Sequence, residues 1–328
     1  MNTKSRVLEL LEQRRGESIS GEYIAGILNI SRNAVWKAVK DLQKDGYDIV
    51  AVTNRGYCLS DDNDIISVLG IKPFLSERGR AHADKISIYK SLESTNKTAK
   101  EMAIAGAEHG TVIISDRQTA GRGRYSRDFF SLTGGGLYMS IILRPEILRF
   151  DAPTTVTAFA AVSVCEAIEA VSDKAPEIKW VNDIFINGKK AGGILTEAVT
   201  DFESGGLEWI VLGIGINVYV RPEDFPSDLQ SLATSVFPDE KVSGVRNRLS
   251  AEIINRILGF DAPPSEKEIF EEYRKRLMVL GKRITVIQGQ TEYKATAIDI
   301  DPVGHLVVKK ESGEVITLYS GEIRIQLT

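Results

Sequence analysis

Apolar positions in the first part of the chain recur at helical spacing and then switch to short extended runs. Val7, Leu8 and Leu11 fall on one face of a first short helix, which Gly16 ends. Ser20 is placed to cap a second helix whose Ile24 and Leu28 face inward, and Asn29 closes it. Ser31 caps a third helix over residues 32–44, with Ala34, Val35, Val39 and Leu42 as its apolar stripe and Gly46 beyond its end. Trp36 on that helix is expected to be packed, a contact with a nucleic-acid backbone being the alternative. Two strand-like runs follow at 49–52 and 56–59, joined by a turn at Thr53, Asn54 and Arg55. Three helices and a hairpin in residues 1–63 make the pattern of a winged helix-turn-helix.

Asp61-Asp62-Asn63-Asp64 is a charged break, and residues 64–85 read as a short helical or irregular linker. A body over 86–280 then mixes strand-like runs (86–89, 111–115, 137–143, 178–180, 184–186, 193–198, 209–218) with helical ones (95–105, 154–170, 251–259, 266–279). That alternation predicts a mixed sheet of the α+β class. From 281 to 328 the runs shorten to 283–288, 292–300, 306–310, 315–319 and 322–326, split by Gly and Asp-Pro turns, which predicts a small β-barrel or sandwich.

Composition narrows the class. The 328 residues exceed one domain of the usual ~100–200, and 43% apolar content supplies a substantial core. No apolar stretch is expected to approach the ~18 residues that span a bilayer, so no membrane role is expected. The charged N-terminus does not read as a secretory signal. Cys58 and Cys165 are far apart, which suits a reducing cytoplasm, and no His/Cys cluster has metal spacing. Net charge is −4, but residues 1–60 carry nine Lys/Arg against seven Asp/Glu. A mildly basic head on an acidic body is compatible with a DNA-contacting module joined to an enzyme. Asn33, Lys37 and Lys40 share the outward face of the third helix, where a recognition helix meets the major groove, and Arg55 at the hairpin tip is placed for a phosphate or the minor groove. A helical protein-interaction module with solvated charges is the alternative.

The body carries five chemical segments. Gln118-Thr119-Ala120-Gly121-Arg122-Gly123-Arg124-Tyr125-Ser126-Arg127 follows the apolar run Val112-Ile113-Ile114. Its glycines permit close backbone approach, and its arginines match phosphate or carboxylate oxygens. A phosphate-bearing ligand that orders this loop, or a solvated basic turn, fits equally. Ser94-Thr95-Asn96 offers hydrogen bonds at a helix N-terminus, or simple capping. Lys179-Trp180-Val181-Asn182-Asp183 puts an amide and a carboxylate at a sheet rim, or forms a turn. Lys189 and Lys190 precede Ala191-Gly192-Gly193, where a lysine can neutralise charge on phosphoryl or carboxyl oxygens, or simply be solvated on a hairpin. Gly213 and Gly215 clear one face of a strand ending at Asn217. P-loop, Rossmann and nucleophile-elbow patterns are missing.

In this order and spacing, the segments resemble the biotin–protein ligases, specifically the bifunctional type with an N-terminal winged helix that represses biotin genes. The resemblance spans essentially the whole chain and implies an SH3-like C-terminal domain. It implies that biotin and ATP form biotinyl-5′-adenylate with Mg²⁺, and that the acyl group passes to a lysine of the biotin carboxyl carrier protein of a carboxylase. Carried over, Ser94, Thr95 and Gln118 would hold biotin, with Asn96 beside them. Gly121, Arg122, Gly123, Arg124 and Arg127 would fold over the adenylate, with Phe129 on adenine. Lys190, Arg122 and Asp183 would be catalytic. Asn182 would help position the nucleotide, its Mg²⁺ or the incoming lysine. Gly213, Gly215 and Asn217 would form the floor and the adenosine side. The family more often has Gly or Asn at Ser126, Trp at Phe129 and Pro at Val181. It also implies an adenylate-linked homodimer on operator DNA, biotin thus being substrate and corepressor precursor. A lipoyl–protein ligase and a ligand-sensing transcription factor without ligase activity are the competing readings.

Overall fold

The computed structural model describes residues 2–52, 55–144, 147, 150, 152–200, 207–289 and 291–325. Contacts divide the chain into two compact units, residues 1–88 with 239–259, and residues 89–238 with 260–328.

The first unit opens with α1 (Thr3–Gln13), α2 (Gly21–Leu28) and α3 (Arg32–Lys44). Ser20 and Ser31 accept from Tyr23 and Ala34 N–H, so both expected caps form. Asn29 ends α2 in the left-handed region at φ 50°. The wing is β1 (Ile49–Val52) paired antiparallel with β2 (Gly56–Leu59), Ile49 facing Leu59. Of its expected turn, Thr53 and Asn54 lie outside the described residues. Gly56 sits at φ 105°, where a Cβ would lie 2.0 Å from the Ile19 carbonyl oxygen, so the wing needs glycine there. Val7, Leu11, Ile24, Val35, Val39, Leu42 and Leu59 form the core. Trp36 is not in it. The indole is 51% exposed, contrary to the expected packing, because the stripe Val35, Ala38, Val39, Leu42 already fills the inward arc of α3.

The connector contains α4 (Val68–Ile71) and α5 (Glu77–Arg80). In the same unit, the helix expected from residue 251 begins six residues earlier. The missed residues 245–250 include Arg246, Asn247 and Ser250, polar residues that read as surface but are buried. Arg246 donates through Nη2 to the Asp64 carbonyl at 2.6 Å and pairs with its carboxylate. Asn247 accepts from Ser67 N–H at 3.0 Å and donates to the Ile65 carbonyl at 2.8 Å. Eight residues on, Asn255 repeats this with Ser76 N–H at 2.8 Å and the Phe74 carbonyl at 3.0 Å. Each clamp faces a glycine: a Cβ on Gly70 would lie 2.8 Å from Asn247 Cγ, and one on Gly79 2.3 Å from Asn255 Oδ1.

The seven-stranded sheet has the order β3-β4-β5-β9-β8-β7-β6. They are β3 (Ile86–Tyr89), β4 (Thr111–Ser115), β5 (Gly136–Leu143), β6 (Glu177–Lys179), β7 (Asp183–Ile186), β8 (Lys189–Thr200) and β9 (Leu207–Asn217). The glycine strand β9 is central, pairing antiparallel with β5 and β8. Helix α6 (Thr95–Ile104) packs on β4, β5 and β9, and α7 (Pro153–Val171) on β8 and β9. The 19 residues of α7 are long and apolar enough to cross a bilayer by length and composition, contrary to the sequence expectation. Its Ala, Val and Thr positions are buried inside this unit, as in a core helix.

Helix α8 is the clamp-bearing Val245–Leu258 of the first unit, and α9 (Glu266–Arg276) packs on α7. Ser265 and Glu268 cap α9 reciprocally in a capping box. The tail is a five-stranded antiparallel SH3-like sheet, order β13-β12-β11-β10-β14. Its strands are β10 (Arg283–Gln288), β11 (Thr291–Ile300), β12 (Leu306–Lys310), β13 (Val315–Leu318) and β14 (Glu322–Ile325). Gln326, expected to end the last strand, lies outside the described residues.

Candidate active site

The candidate site lies within the second unit, around the strands β5, β8 and β9. Its inner wall is a hydrogen-bonded polar group. Ser94 caps α6, accepting from Lys97 N–H at 3.5 Å. Thr95 donates its N–H at 2.8 Å and its hydroxyl at 3.1 Å to Gln118 Oε1. The Ser140 hydroxyl donates to Asn96 Oδ1 at 2.6 Å and stands 2.8 Å from the Thr95 hydroxyl. Ser94, Thr95, Asn96 and Ser140 are all buried. Burial without partners would cost about 1–3 kcal/mol per group, so the network is what allows polar atoms here.

Two glycines make room for that wall. A Cβ on Gly213 would lie 2.2 Å from Asn96 Oδ1, and one on Gly215 2.7 Å from the Phe129 ring. The cleared face therefore receives an amide and an aromatic ring. Asn96 departs from its expected role at the ligand. Its amide donates to Glu197 Oε2 at 2.8 Å and to the Leu195 carbonyl at 3.3 Å, and its oxygen accepts from Ser140. Both amide hydrogens are committed inside the protein, so Asn96 braces the wall. Asn217, also buried, donates to the Thr234 carbonyl at 3.1 Å.

The arginine loop crosses the outer side. Gly123 N–H donates to the Arg127 carbonyl at 2.7 Å and Phe129 N–H to the Gly121 carbonyl at 2.9 Å, closing a tight loop. Tyr125 sits at its apex with φ 56°. Gly121 is required by the fold, since a Cβ would lie 2.8 Å from both the Gln118 amide and the Phe129 carbonyl. Arg122 is exposed. Arg124 donates to Asn182 Oδ1 at 3.4 Å and lies 5.1 Å from the Tyr125 ring centroid. Arg127 grips Glu322 with both terminal nitrogens, Nη1 to Oε1 at 2.9 Å. The Arg127 charge is thus balanced within the chain, by a carboxylate 195 residues away. Arg127 holds the Glu322 carboxyl below its ordinary range against the opposing effect of burial.

At the rim, Lys190 Nζ donates to Asp183 Oδ1 at 2.5 Å. A bulge between Ile184 and Phe185 aims this end of β8. The Lys190 main chain is held on both sides, its N–H by the Leu232 carbonyl and its carbonyl by Thr234 N–H. Asn182 donates to the Ile194 carbonyl at 2.6 Å, leaving its oxygen toward Arg124. Lys179 faces the Phe185 ring at 5.7 Å, and burial lowers its pKa. The structure thus brings Arg124, Asn182, Asp183 and Lys190 to one rim, with Gly213, Gly215 and Phe129 behind. Ser140, Glu197 and Glu322 belong to the arrangement without having been singled out in the sequence. Their partners are 44, 101 and 195 residues distant, and local pattern carries no such signal. The DNA-side candidates Asn33, Lys37, Lys40 and Arg55 are all exposed in the first unit.

Comparison with known proteins gives these parts a common origin. Residues 88–217 match the biotin/lipoate A/B protein ligase family, residues 3–58 an HTH domain, and residues 279–325 the biotin protein ligase C-terminal domain. The chain is 35% identical over 332 residues to the bifunctional ligase/repressor BirA of Bacillus spizizenii, covering 97% of each chain. It is 26% identical over 326 residues to BirA of Escherichia coli, covering 95% of this chain and 94% of that one. Among solved structures, the biotin protein ligase of Aquifex aeolicus in complex with biotin and ATP matches with a TM-score of 0.60 at 26% identity, over 74% of this chain and 99% of that one. The chain belongs to the bifunctional ligase/repressor branch of the biotin–protein ligase family.

Proposed function

We infer that this chain is an ATP-dependent biotin–protein ligase that also acts as a biotin-responsive transcriptional repressor. The observation that carries the reading is the Lys190–Asp183 pair at 2.5 Å, on the rim where Arg124 of the arginine loop meets Asn182. A carboxylate does not acylate an amine at neutral pH, so the acid must first become a mixed anhydride. In the first half-reaction a biotin carboxylate oxygen attacks the α-phosphorus of ATP, and the bond to the β-phosphate oxygen breaks to release pyrophosphate. In the second, the carrier lysine's neutral amine attacks the acyl carbon, the nitrogen loses a proton and AMP leaves.

Ser94, Thr95 and Gln118 hold the biotin end. Lys190 neutralises charge building on the carboxyl and phosphoryl oxygens, a contribution that low local polarity strengthens. Asp183 aligns that ammonium and stands ready for the proton lost by the carrier lysine. Arg122, Arg124 and Arg127, with Gly121 and Gly123 allowing close approach, cover the adenylate and exclude water. Gly213 and Gly215 form the floor, Phe129 packs on adenine, Asn217 touches the adenosine side, and Asn182 positions the nucleotide. Mg²⁺ supplies charge neutralisation on the triphosphate when bound. Among the described residues no group of three or more His, Cys, Asp or Glu side chains is placed to cage a metal. Mg²⁺ usually keeps waters and leans on substrate phosphates plus one or two carboxylates, so the donors here would suit an ion arriving with the nucleotide, and Asp183 is the carboxylate that would face it.

The acceptor is the biotin carboxyl carrier protein of a biotin-dependent carboxylase, and the compartment is the cytoplasm. The winged helix binds operator DNA through Asn33, Lys37, Lys40 and Arg55, as a homodimer formed when the adenylate is held. This homodimer reading rests on the family resemblance; sedimentation with and without biotin and ATP checks it. The ligase reading is tested by incubating the chain with carrier, biotin, ATP and Mg²⁺ and weighing the carrier. One added biotinyl group supports it. An unmodified carrier sinks it.

A further inference from the structure

The outward face of α3 carries more than its polar residues. At 100° per residue, Asn33, Trp36, Lys37, Lys40 and Lys44 fall within about 100° of arc, opposite the buried Val35, Ala38, Val39 and Leu42. Trp36 is 51% exposed, lies outside the core cluster, and no hydrogen bond to a described residue engages its indole. A lone exposed aromatic needs no explanation in general. Here, however, a helix that seats Asn33, Lys37 and Lys40 in a groove must carry the indole in with them. The same face bears lysines at 37, 40 and 44, a positive surround suited to a polyanion. In the major groove the apolar feature a base edge presents is the thymine C5-methyl group.

We propose that Trp36 is a base-reading residue of the DNA-binding head, packing its indole on a thymine methyl in the major groove. The proposal rests on the reading of the head as a DNA-binding module. It separates the labour on α3. The lysines meet phosphates and give salt-dependent, sequence-tolerant affinity, whereas the indole gives sequence preference through apolar contact and little salt dependence.

The chain offers its own probe. Of its three tryptophans, Trp180 is 5% and Trp209 2% exposed, so iodide in solution quenches chiefly Trp36. The test uses the full chain with biotin, ATP and Mg²⁺, and an inverted-repeat duplex selected from a random pool by the chain itself. The expected result is that the duplex shields the indole from iodide. Replacing one thymine in each half-site by deoxyuridine should then weaken wild-type binding about tenfold, within the usual cost of a lost base contact. W36A should bind the thymine duplex about tenfold more weakly, lose nothing further with deoxyuridine, and keep the wild-type salt slope. Undiminished quenching in the complex, or indifference of the wild type to every thymine-to-deoxyuridine change, overturns the assignment; both are read on unmutated protein. Failure to select any duplex would overturn it together with the DNA-binding reading, whereas a bound duplex with an open indole overturns the Trp36 role alone.

Discussion

The two ends of the candidate active site are built in opposite ways. At the inner wall, Thr95, Asn96, Gln118 and Ser140 are tied to one another, and all but Gln118 are buried, through contacts of 2.6–3.1 Å. At the outer rim, Arg127 is 61% exposed and Lys190 39%, and each is held by one carboxylate. Buried hydrogen bonds are costly to break, while exposed ion pairs contribute little to stability. The wall is therefore fixed, and the rim is a set of charges free to exchange partners. A two-step acyl transfer needs both. The acid must stay in place while phosphates come and go.

The comparison predicts that rim changes cost rate and wall changes cost stability. The largest effect expected is on activity: Lys190→Ala should lower kcat for carrier biotinylation by about 10²–10³-fold, the usual scale for a lost electrostatic stabiliser, with the melting temperature scarcely changed. A melting temperature that falls along with activity would blur the division. Next, Ser140→Ala should destabilise the chain by about 1–3 kcal/mol in urea unfolding, because Asn96 Oδ1 loses its hydroxyl donor, and should raise the KM for biotin more than that for ATP. Gly215→Ala should cost about 1–3 kcal/mol by driving a methyl into the Phe129 ring, and should raise the KM for ATP instead.

Glu322→Gln, another rim change, should also cost little stability, about 0–1 kcal/mol, since the pair with Arg127 is largely solvent-screened. Its visible consequence should be faster hydrogen exchange over residues 121–129. The pH dependence follows from the depressed Glu322 carboxyl. Its stabilisation is fully present above the ordinary carboxylate pKa, and is lost as pH falls through the lower folded-state value. Exchange over 121–129, corrected for intrinsic rate, should rise on acidification in the wild type and stay flat in Glu322→Gln.

Local chemistry made much of this fold legible. Residues 32–44, 49–52 and 56–59 have the bounds expected from Ser31, the apolar stripe and the glycines, because caps and turns act within a few residues. The order of the chemical segments carried the family and the three-part architecture. What escaped was polar chemistry settled by distant partners. The first turn of α8 was hidden because Arg246 and Asn247 look like surface residues until Asp64 and Ser67 are beside them. Asn96 looked like a ligand contact because Glu197 and Ser140 were invisible at sequence distances of 101 and 44. Trp36 looked like core because hydrophobicity alone does not say which side of a helix is already full.

The paired clamps on α8 have a consequence for how the connector can vary. Asn247 and Asn255 address main-chain N–H and carbonyl groups at 65–67 and 74–76, much as the edge of a neighbouring strand would. Peptide groups are the same whatever residue bears them. Substitutions along this stretch can therefore alter its surface while leaving its route untouched, provided Gly70 and Gly79 stay small enough to let the amides in.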